Sequence, residues 1–411
     1  MTLTASEKLT QIRTELRTDE AEIVNDKMII NMGPSHPATH GTVKFVLTLD
    51  GETVDDVDIE IGYLHRGFEK MSEMGTWQQV LPYTDRLNYV SPLINNVGYV
   101  GAIEKLWGVE ITPRAKYIRM LISELSRMTD HLTSVAAGAL ELGGFTPFLY
   151  GVEARETLFP LVEELTGARL TTSYTRIGGL AKDLPPGYDQ HMYAALEKVE
   201  GLIVKVDKLL TKNRIFYDRM MNTGVLSQED AISSGCTGVM LRCTGVDWDL
   251  RKHQPYLAYD ELDFDVIVGT RGDNYDRYLV RLEEMVQSMK MIRQILRQMP
   301  AGPINVSDWR VCLPPKDAVY NTIEGMIAHF KLTMEGHQVP AGETYFAVEG
   351  GNGEVGFHIV SQGNGRPYKV KVRPPCFYAM GILKKLIVGH MLADIIPTFD
   401  TLNMIGGEVD R

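Results

Sequence analysis

Between residues 32 and 42 the chain reads Met-Gly-Pro-Ser-His-Pro-Ala-Thr-His-Gly-Thr, which sets His36 and His40 four apart among two prolines and two glycines. Imidazole is the side chain best matched to moving protons near neutral pH. Proline fixes φ and glycine admits positive φ, so both rings ride on a shaped loop and not on a helix face. Rigid placement is what a binding or catalytic site asks of its side chains. Taken alone, the pair suits metal binding and proton transfer equally. The elements that must hold it are a short apolar strand over 28–31 and an alternating strand over 43–49.

Two further segments carry chemistry. Arg66 lies in Gly-Tyr-Leu-His-Arg-Gly-Phe-Glu-Lys, residues 62–70. A guanidinium is permanently charged and offers five donors, so it stabilises negative charge on an anionic ligand or a reduced cluster. Tyr83, Arg86 and Tyr89 are spaced by three, which predicts one helical face for all of them. A phenol with its usual pKa of about 10 is a poor acid toward most groups, but it is competent toward the basic oxygens of a reduced quinone. Arg176, Gly178, Gly179 and Lys182 read as a turn, since Gly pairs mark turns far more often than phosphate loops. Neither a G-x-x-x-x-G-K-[ST] loop nor a G-x-G-x-x-G unit stands out, so ATP and dinucleotide binding are not supported. Cys236, Cys243, Cys312 and Cys376 form no C-x-x-C, which argues against a zinc or iron–sulfur site on this chain; they read as inert thiols and the expected metal set is none.

Composition narrows the classes. With 44% hydrophobic and 23% charged residues in 411, the chain is ordinary globular material. A formal charge of −11 argues against a nucleic-acid partner. The longest apolar stretch, 386–397, is interrupted by His390 and Asp394 and is too short for a membrane span. The first twenty residues mix acidic and basic side chains without an apolar h-region, so they read as neither a signal peptide nor a transit peptide.

Residues 1–26 are expected as an N-terminal arm, with a short amphipathic helix or mobile stretch over 1–20. Residues 27–64 are expected as a β region carrying the His loop, and 65–340 as a helical bundle with an irregular excursion at 235–270. Residues 341–411 are expected as a C-terminal β/α region. Thr112–Pro113 is a helix start, with Thr as N-cap and Pro at the first position. Leu121, Leu125, Met128, Leu132 and Val135 mark the buried stripe of the helix that follows, to about Leu142. Further helices are expected over 188–212, 273–299 and 316–335, and strands over 343–349, 355–361 and 367–373. Strands at both ends around a helical middle predict an α+β fold.

Taken together, these segments resemble the 49-kDa-type subunit of respiratory complex I, the proton-pumping NADH:quinone oxidoreductase. The resemblance rests on GPSHPATHG at 33–41, GYLHRGFEK at 62–70, PYTDRLNYV at 82–90, SELSR at 123–127 and YTRIGG at 174–179. It continues through DLRKHQPY at 249–256, GDNYDRYLVRLEEM at 272–285, HFKLTMEG at 329–336, RPYKVKVRPP at 366–375, GHMLADI at 389–395 and GEVDR at 407–411. It covers nearly the whole chain from about residue 27.

That family is similar to the large subunit of nickel–iron hydrogenases, which implies a central helical bundle flanked by N- and C-terminal sheets. Hydrogenases hold nickel with two C-x-x-C pairs. This chain has Arg86 to Ser91 where the first would lie and no Cys in 400–407 where the second would lie, so a nickel–iron centre cannot be built. A hydrogenase-type large subunit is therefore the disfavoured rival, and a non-catalytic scaffold is the other.

The resemblance implies quinone reduction beside a neighbouring subunit that carries the terminal [4Fe–4S] cluster, with no cofactor held by this chain. Further peripheral-arm subunits and a membrane subunit with the quinone channel are the other implied partners. By motif match, His40 and Tyr89 resemble the pair that binds the quinone head and supplies its protons, and His36 shares the loop. Arg66 resembles the arginine beside the cluster, and Arg86 a second basic residue near it. The family's Asp partner for the loop His is Glu141 here, one methylene longer. Thr171 stands where many members carry a His linked to protonation on cluster reduction, which fits a low-potential quinone such as menaquinone. The family's E-A-P-[KR]-G-E segment is residues 349–354 here, with Asn352 where the basic residue stands. The implied location is the cytoplasmic face of a bacterial inner membrane, held there through partners.

Overall fold

The computed structural model describes residues 22–24 and 27–411. The helix or mobile stretch expected over 1–20 lies outside the described residues.

The first sheet is antiparallel in chain order: β1 (Glu22–Val24), β2 (Lys27–Met32), β3 (Lys44–Asp50) and β4 (Thr53–Glu60). β1 falls inside the span expected as an arm; it pairs with β2 as an edge strand. On β3 the period of two buries Phe45, Leu47 and Leu49 on one face. The His loop joins β2 to β3. Residues 37–39 form one 3-10 turn, with His36 as its N-cap and His40 closing it at φ 54°. Gly33 is required where the loop doubles back: at φ 91° a Cβ there would lie 2.4 Å from the Val43 carbonyl oxygen.

The middle of the chain is helical: α1 (Phe68–Met74), α2 (Leu81–Thr84), α3 (Pro92–Trp107), α4 (Pro113–Glu141), α5 (Phe145–Thr166), α6 (Tyr188–Leu210) and α7 (Asn274–Gln298). α4 runs 29 residues through the centre and starts as expected, with the Thr112 hydroxyl accepting from the Ala115 N–H. Leu121, Leu125, Met128 and Leu132 are buried along it, against α3, α5 and α7. A two-residue hairpin, β5 (Thr175–Arg176) and β6 (Gly179–Leu180), makes the expected turn at 177–178. Residues 235–270 hold two four-residue helices and one 3-10 turn. The single helix expected over 316–335 is two, α8 (Lys316–Asn321) and α9 (Ile323–Met334). At the break Thr322 is extended, and its hydroxyl caps α9 by accepting from the Gly325 N–H.

The last sheet, β7 (Gly342–Glu349), β8 (Glu354–Ser361) and β9 (Lys369–Arg373), is antiparallel and packs on α3. The contact is close because α3 offers Gly98 and Gly101; a Cβ on Gly101 would lie 2.4 Å from the Phe346 ring. Three helices finish the chain: α10 (Pro375–Ile387), α11 (Leu392–Leu402) and α12 (Gly406–Asp410). α10 and α11 cover the first sheet, with Phe399 edge-on to Phe45 at 5.4 Å. The architecture is mixed helix and sheet, with the long helices between the two sheets in sequence. No described helix is long and apolar enough to cross a membrane.

Candidate functional site

The chain end assembles the site. Asp410 accepts hydrogen bonds from the backbone N–H groups of Gly62 (2.9 Å) and Leu64 (2.7 Å), and its carbonyl lies 2.6 Å from His65 Nδ1. Gly406 and Gly407 thread through where no side chain fits. A Cβ on Gly406 would lie 2.8 Å from Thr42, and one on Gly407 2.4 Å from the Arg86 carbonyl oxygen. The His loop, the 62–70 segment and the 82–90 segment, distant in sequence, thus meet on one terminal helix.

Behind them lies Asp130 of α4, fully buried. Its carboxylate accepts from Asn88 Nδ2 (2.9 Å), the Ser91 hydroxyl (2.8 Å) and Asn403 Nδ2 (2.7 Å). Asn352 Oδ1 also accepts from Asn403 Nδ2 (2.6 Å), while Asn352 Nδ2 donates to the Cys376 sulfur (3.3 Å) and the Asn403 carbonyl (3.1 Å). The stretches 88–91 and 400–408 therefore converge on one buried carboxylate through amides and a hydroxyl.

Tyr83, Arg86 and Tyr89 do not share a helical face. α2 stops at Thr84, and the chain continues in turns. Asn88 Oδ1 accepts from the N–H groups of Val90 and Ser91, an alternative to helical bonding, and Pro92 disfavours helix at Ser91. The turn leaves Tyr89 38% exposed. Partial burial pushes its phenol pKa up, with Cys376 and Asp130 adding to the rise.

Glu408 of α12 is 1% exposed, and neither carboxyl oxygen has a hydrogen-bond partner. Burial pushes its pKa up to about 7, with the Asp130 charge adding to the rise, while the Cys376 thiol, Arg373 and the Asn352 amide pull the other way. Burial likewise drives the Cys376 thiol well above its ordinary value.

The other expected site residues fall around this centre. His36 and His40 are exposed on their loop; His36 Nδ1 accepts from the Ala38 N–H (3.2 Å). Among the described residues no hydrogen bond joins His40 to Tyr89 or to Glu141. Glu141 ends α4 exposed, and the charge it faces is Asp400, whose buried carboxyl is held well above the usual range by desolvation and then by Glu141. Arg66 Nη2 donates to the Arg86 carbonyl (2.6 Å) and Arg86 Nη1 to the Pro82 carbonyl. Partial burial and the Arg86 charge lower the Arg66 pKa. Thr171, at φ 48°, sits in the loop whose Ser173 hydroxyl donates to Asp85 (2.5 Å), next to Arg86.

Asp130, Asn403, Glu408 and Asp410 do not stand out in the sequence as candidate site residues, and Cys376, expected as an inert thiol, accepts from the Asn352 amide of this cluster. The one available signal was the terminal GEVDR motif, to which no chemistry had been attached.

A second buried polar cluster lies farther along α4. Arg251 pairs with Asp249 (2.6 Å) and Glu124 (3.1 Å), and Arg242 with Glu284 (2.7 Å) and Glu349 (2.7 Å). Arg127 donates to the carbonyls of Gly350 (2.6 Å) and Glu349 (2.7 Å). His131 Nε2 lies 2.8 Å from Glu284; burial lowers the imidazole pKa, so the neutral ring donates that hydrogen bond.

Known proteins are similar to this chain over nearly its whole length. A family model described as "Respiratory-chain NADH dehydrogenase, 49 Kd subunit" matches residues 141–411. The D-type chain of the NADH-quinone oxidoreductase of Myxococcus xanthus is 58% identical over 392 residues, covering 95% of this chain and 94% of the relative. A D-type chain of the enzyme of the same name from Sorangium cellulosum is 54% identical, covering 97% and 98%. A Bdellovibrio bacteriovorus relative, whose name combines the C and D types in one chain, is 48% identical, and the match covers 95% of this chain but 70% of the relative.

Proposed function

The chain belongs to the 49-kDa subunit family of the respiratory-chain NADH dehydrogenase, and from that premise we propose that the face built by the His loop, Tyr89 and the chain terminus is where quinone is reduced. The chain is one component of an NADH:quinone oxidoreductase. The observation that carries the proposal is the position of Tyr89: part-exposed, on the segment that meets the other two motif segments, and next in sequence to Asn88, whose amide donates to the buried Asp130.

A quinone becomes basic as it gains electrons, and quinol formation takes up two protons. Tyr89 and His40 supply them. The raised phenol pKa keeps the Tyr89 proton in place until a strongly basic oxygen arrives. His36 helps shape the loop that positions the head group. The electrons come from a [4Fe–4S] cluster on a neighbouring subunit. Arg66 and Arg86 bond to backbone carbonyls, and among the described residues neither is paired with a carboxylate. Their positive charge is thus free to favour electron arrival there. Glu141 and Thr171 take up the proton-linked positions of the motif.

The hydrogenase-like arrangement is supported by the meeting of residues 88–91 with residues 403–408, where thiolates are replaced by amide, hydroxyl and carboxyl groups. The partners are the cluster-bearing subunit, the remaining peripheral-arm subunits and a membrane subunit with the quinone channel. The combined C/D name of the Bdellovibrio relative supports a C-type neighbour. These partners hold the chain at the cytoplasmic face of a bacterial membrane.

The test is Tyr89→Phe and His40→Ala in the assembled complex. Quinone reduction by Tyr89→Phe falls about 100-fold, the low end of what a positioned general acid contributes, while NADH oxidation by an artificial upstream acceptor is unchanged. Full quinone reduction by both variants would leave only a scaffold role.

A further inference from the structure

We propose that Glu408 stores the proton that restores Tyr89 after each quinone reduction. The inference rests on the reading of Tyr89 as a proton donor and assigns what lies behind it.

A phenol that protonates quinone is left as phenolate and must be refilled before the next turnover. Tyr89 follows Asn88, whose amide donates to Asp130 (2.9 Å), and from Asp130 the hydrogen bonds run through Asn403 (2.7 Å) and Asn352 (2.6 Å) to the Cys376 sulfur (3.3 Å), which neighbours Glu408. Two carboxyls therefore share one buried pocket, and the structure treats them differently. Asp130 accepts three hydrogen bonds. Glu408 accepts none, is 1% exposed and lies in the field of Asp130. A desolvated acid without donors, beside an anion, favours its neutral form.

The charged and titratable groups facing Glu408 come from three other elements: Asp130 from α4, Cys376 from α10 and Arg373 from the end of β9. Arg373 is the lone cation among them. It is already held by Thr237, the carbonyls of Glu354 and Gly235, and the Tyr378 ring. Its attraction offsets burial in part, and the carboxyl settles at about 7. A group near that value both releases and regains a proton at neutral pH, as a reservoir must.

The transfer balances without a further reactant. The Glu408 O–H bond breaks and an O–H bond forms on the Tyr89 phenolate, the proton crossing the shared polar pocket. Phenol is regenerated, and the negative charge ends on Glu408. The direction is downhill, because the phenol lies above its ordinary value and the carboxyl at about 7. The resulting carboxylate, unpaired beside Asp130, is then driven to take up a proton from outside. Glu408 touches no substrate in this scheme; it acts through Tyr89.

The experiment uses the assembled complex with Glu408→Gln and Glu408→Asp, each checked for assembly. In Glu408→Gln the first quinol forms at the wild-type rate, but steady-state turnover falls roughly tenfold, a modest share of a general-acid effect. Its pH–rate profile also loses the limb near pH 7. The wild-type minus Glu408→Gln infrared difference spectrum shows a protonated carboxyl band that titrates near pH 7. Glu408→Asp keeps the band, shifts its midpoint and recovers part of the turnover; it carries the test alone if Glu408→Gln does not assemble. An unchanged pH profile with no such band in the difference spectrum overturns the proposal. The Tyr89→Phe result separates the two claims. If that variant reduces quinone normally, the reading of Tyr89 fails. If it is impaired while the Glu408 variants match wild type, the role of Glu408 alone fails.

Discussion

One helix serves two buried polar regions built on opposite plans. On the face of α4 that carries Glu124, Arg127 and His131, the four carboxylates Glu124, Asp249, Glu284 and Glu349 each have a guanidinium within 3.2 Å. On the face that carries Asp130, the partners are amides, a hydroxyl and a thiol, and Glu408 has no partner. Paired buried charges fix an arrangement and have little left to give; removing one member strands the other. An under-satisfied pocket costs stability and keeps groups whose protonation can change. The first region is scaffold, and the second is where chemistry is expected.

The largest effect should come from breaking the paired region. Arg242→Ala strands Glu284 and Glu349 together and should cost about 3–5 kcal/mol. The expected outcome is loss of the assembled complex, or a much lower unfolding temperature where it survives. If Arg242→Ala complexes melt like wild type, the contrast between the regions is wrong.

Acid titration sharpens the same contrast at the carboxylates it separates: Asp249 and Glu284 respond with the opposite sign to Glu408, whereas Glu349, among the same guanidinium groups, is raised by burial and by Asp249. Guanidinium partners hold Asp249 and Glu284 below the usual carboxylate range against burial. Their contribution is full above the unfolded value of about 4 and is lost as pH falls through the folded values. Glu408 is raised to about 7. The folded state holds its proton more tightly, so its contribution is greatest below about pH 4.3 and declines as pH rises to 7, by at most about 1.4 kcal/mol per pH unit. Melting curves across pH 4–8 should show Glu408→Gln flattening that decline while leaving the acid limb in place.

The long elements were legible in the sequence because period and caps declare them. α4 starts at the Thr112–Pro113 signal, and the stripe from Leu121 to Leu132 is buried. The site was half legible. Tyr89, Arg66 and the histidines stand out by residue type. Asp130, Asn403 and Glu408 do not, since a lone polar residue in an apolar stretch gives no hint of a partner 273 positions away. Spacing by three also misled at Tyr83, Arg86 and Tyr89, where the Asn88 side chain captures the N–H groups a helix would need.

Within the unpaired region, Asp130→Asn keeps the shape but offers an NH2 group to three donors that want an acceptor. It should cost about 2 kcal/mol, the range for stranding buried polar groups. It also removes one of the charges that raise the Tyr89 phenol. The phenol pKa should therefore drop in the variant, visible in an ultraviolet titration of the tyrosines.

Ser91→Ala tests the smallest part of the contrast. It deletes one of the three donors to Asp130 and leaves the two amides in place. The loss should be about 1 kcal/mol, that of a single side-chain hydrogen bond. Melting of the variant complex against Asp130→Asn measures it. If Ser91→Ala costs as much as Asp130→Asn, the three donors act as one cooperative unit, and this pocket is as tightly specified as the ion-paired region beside it.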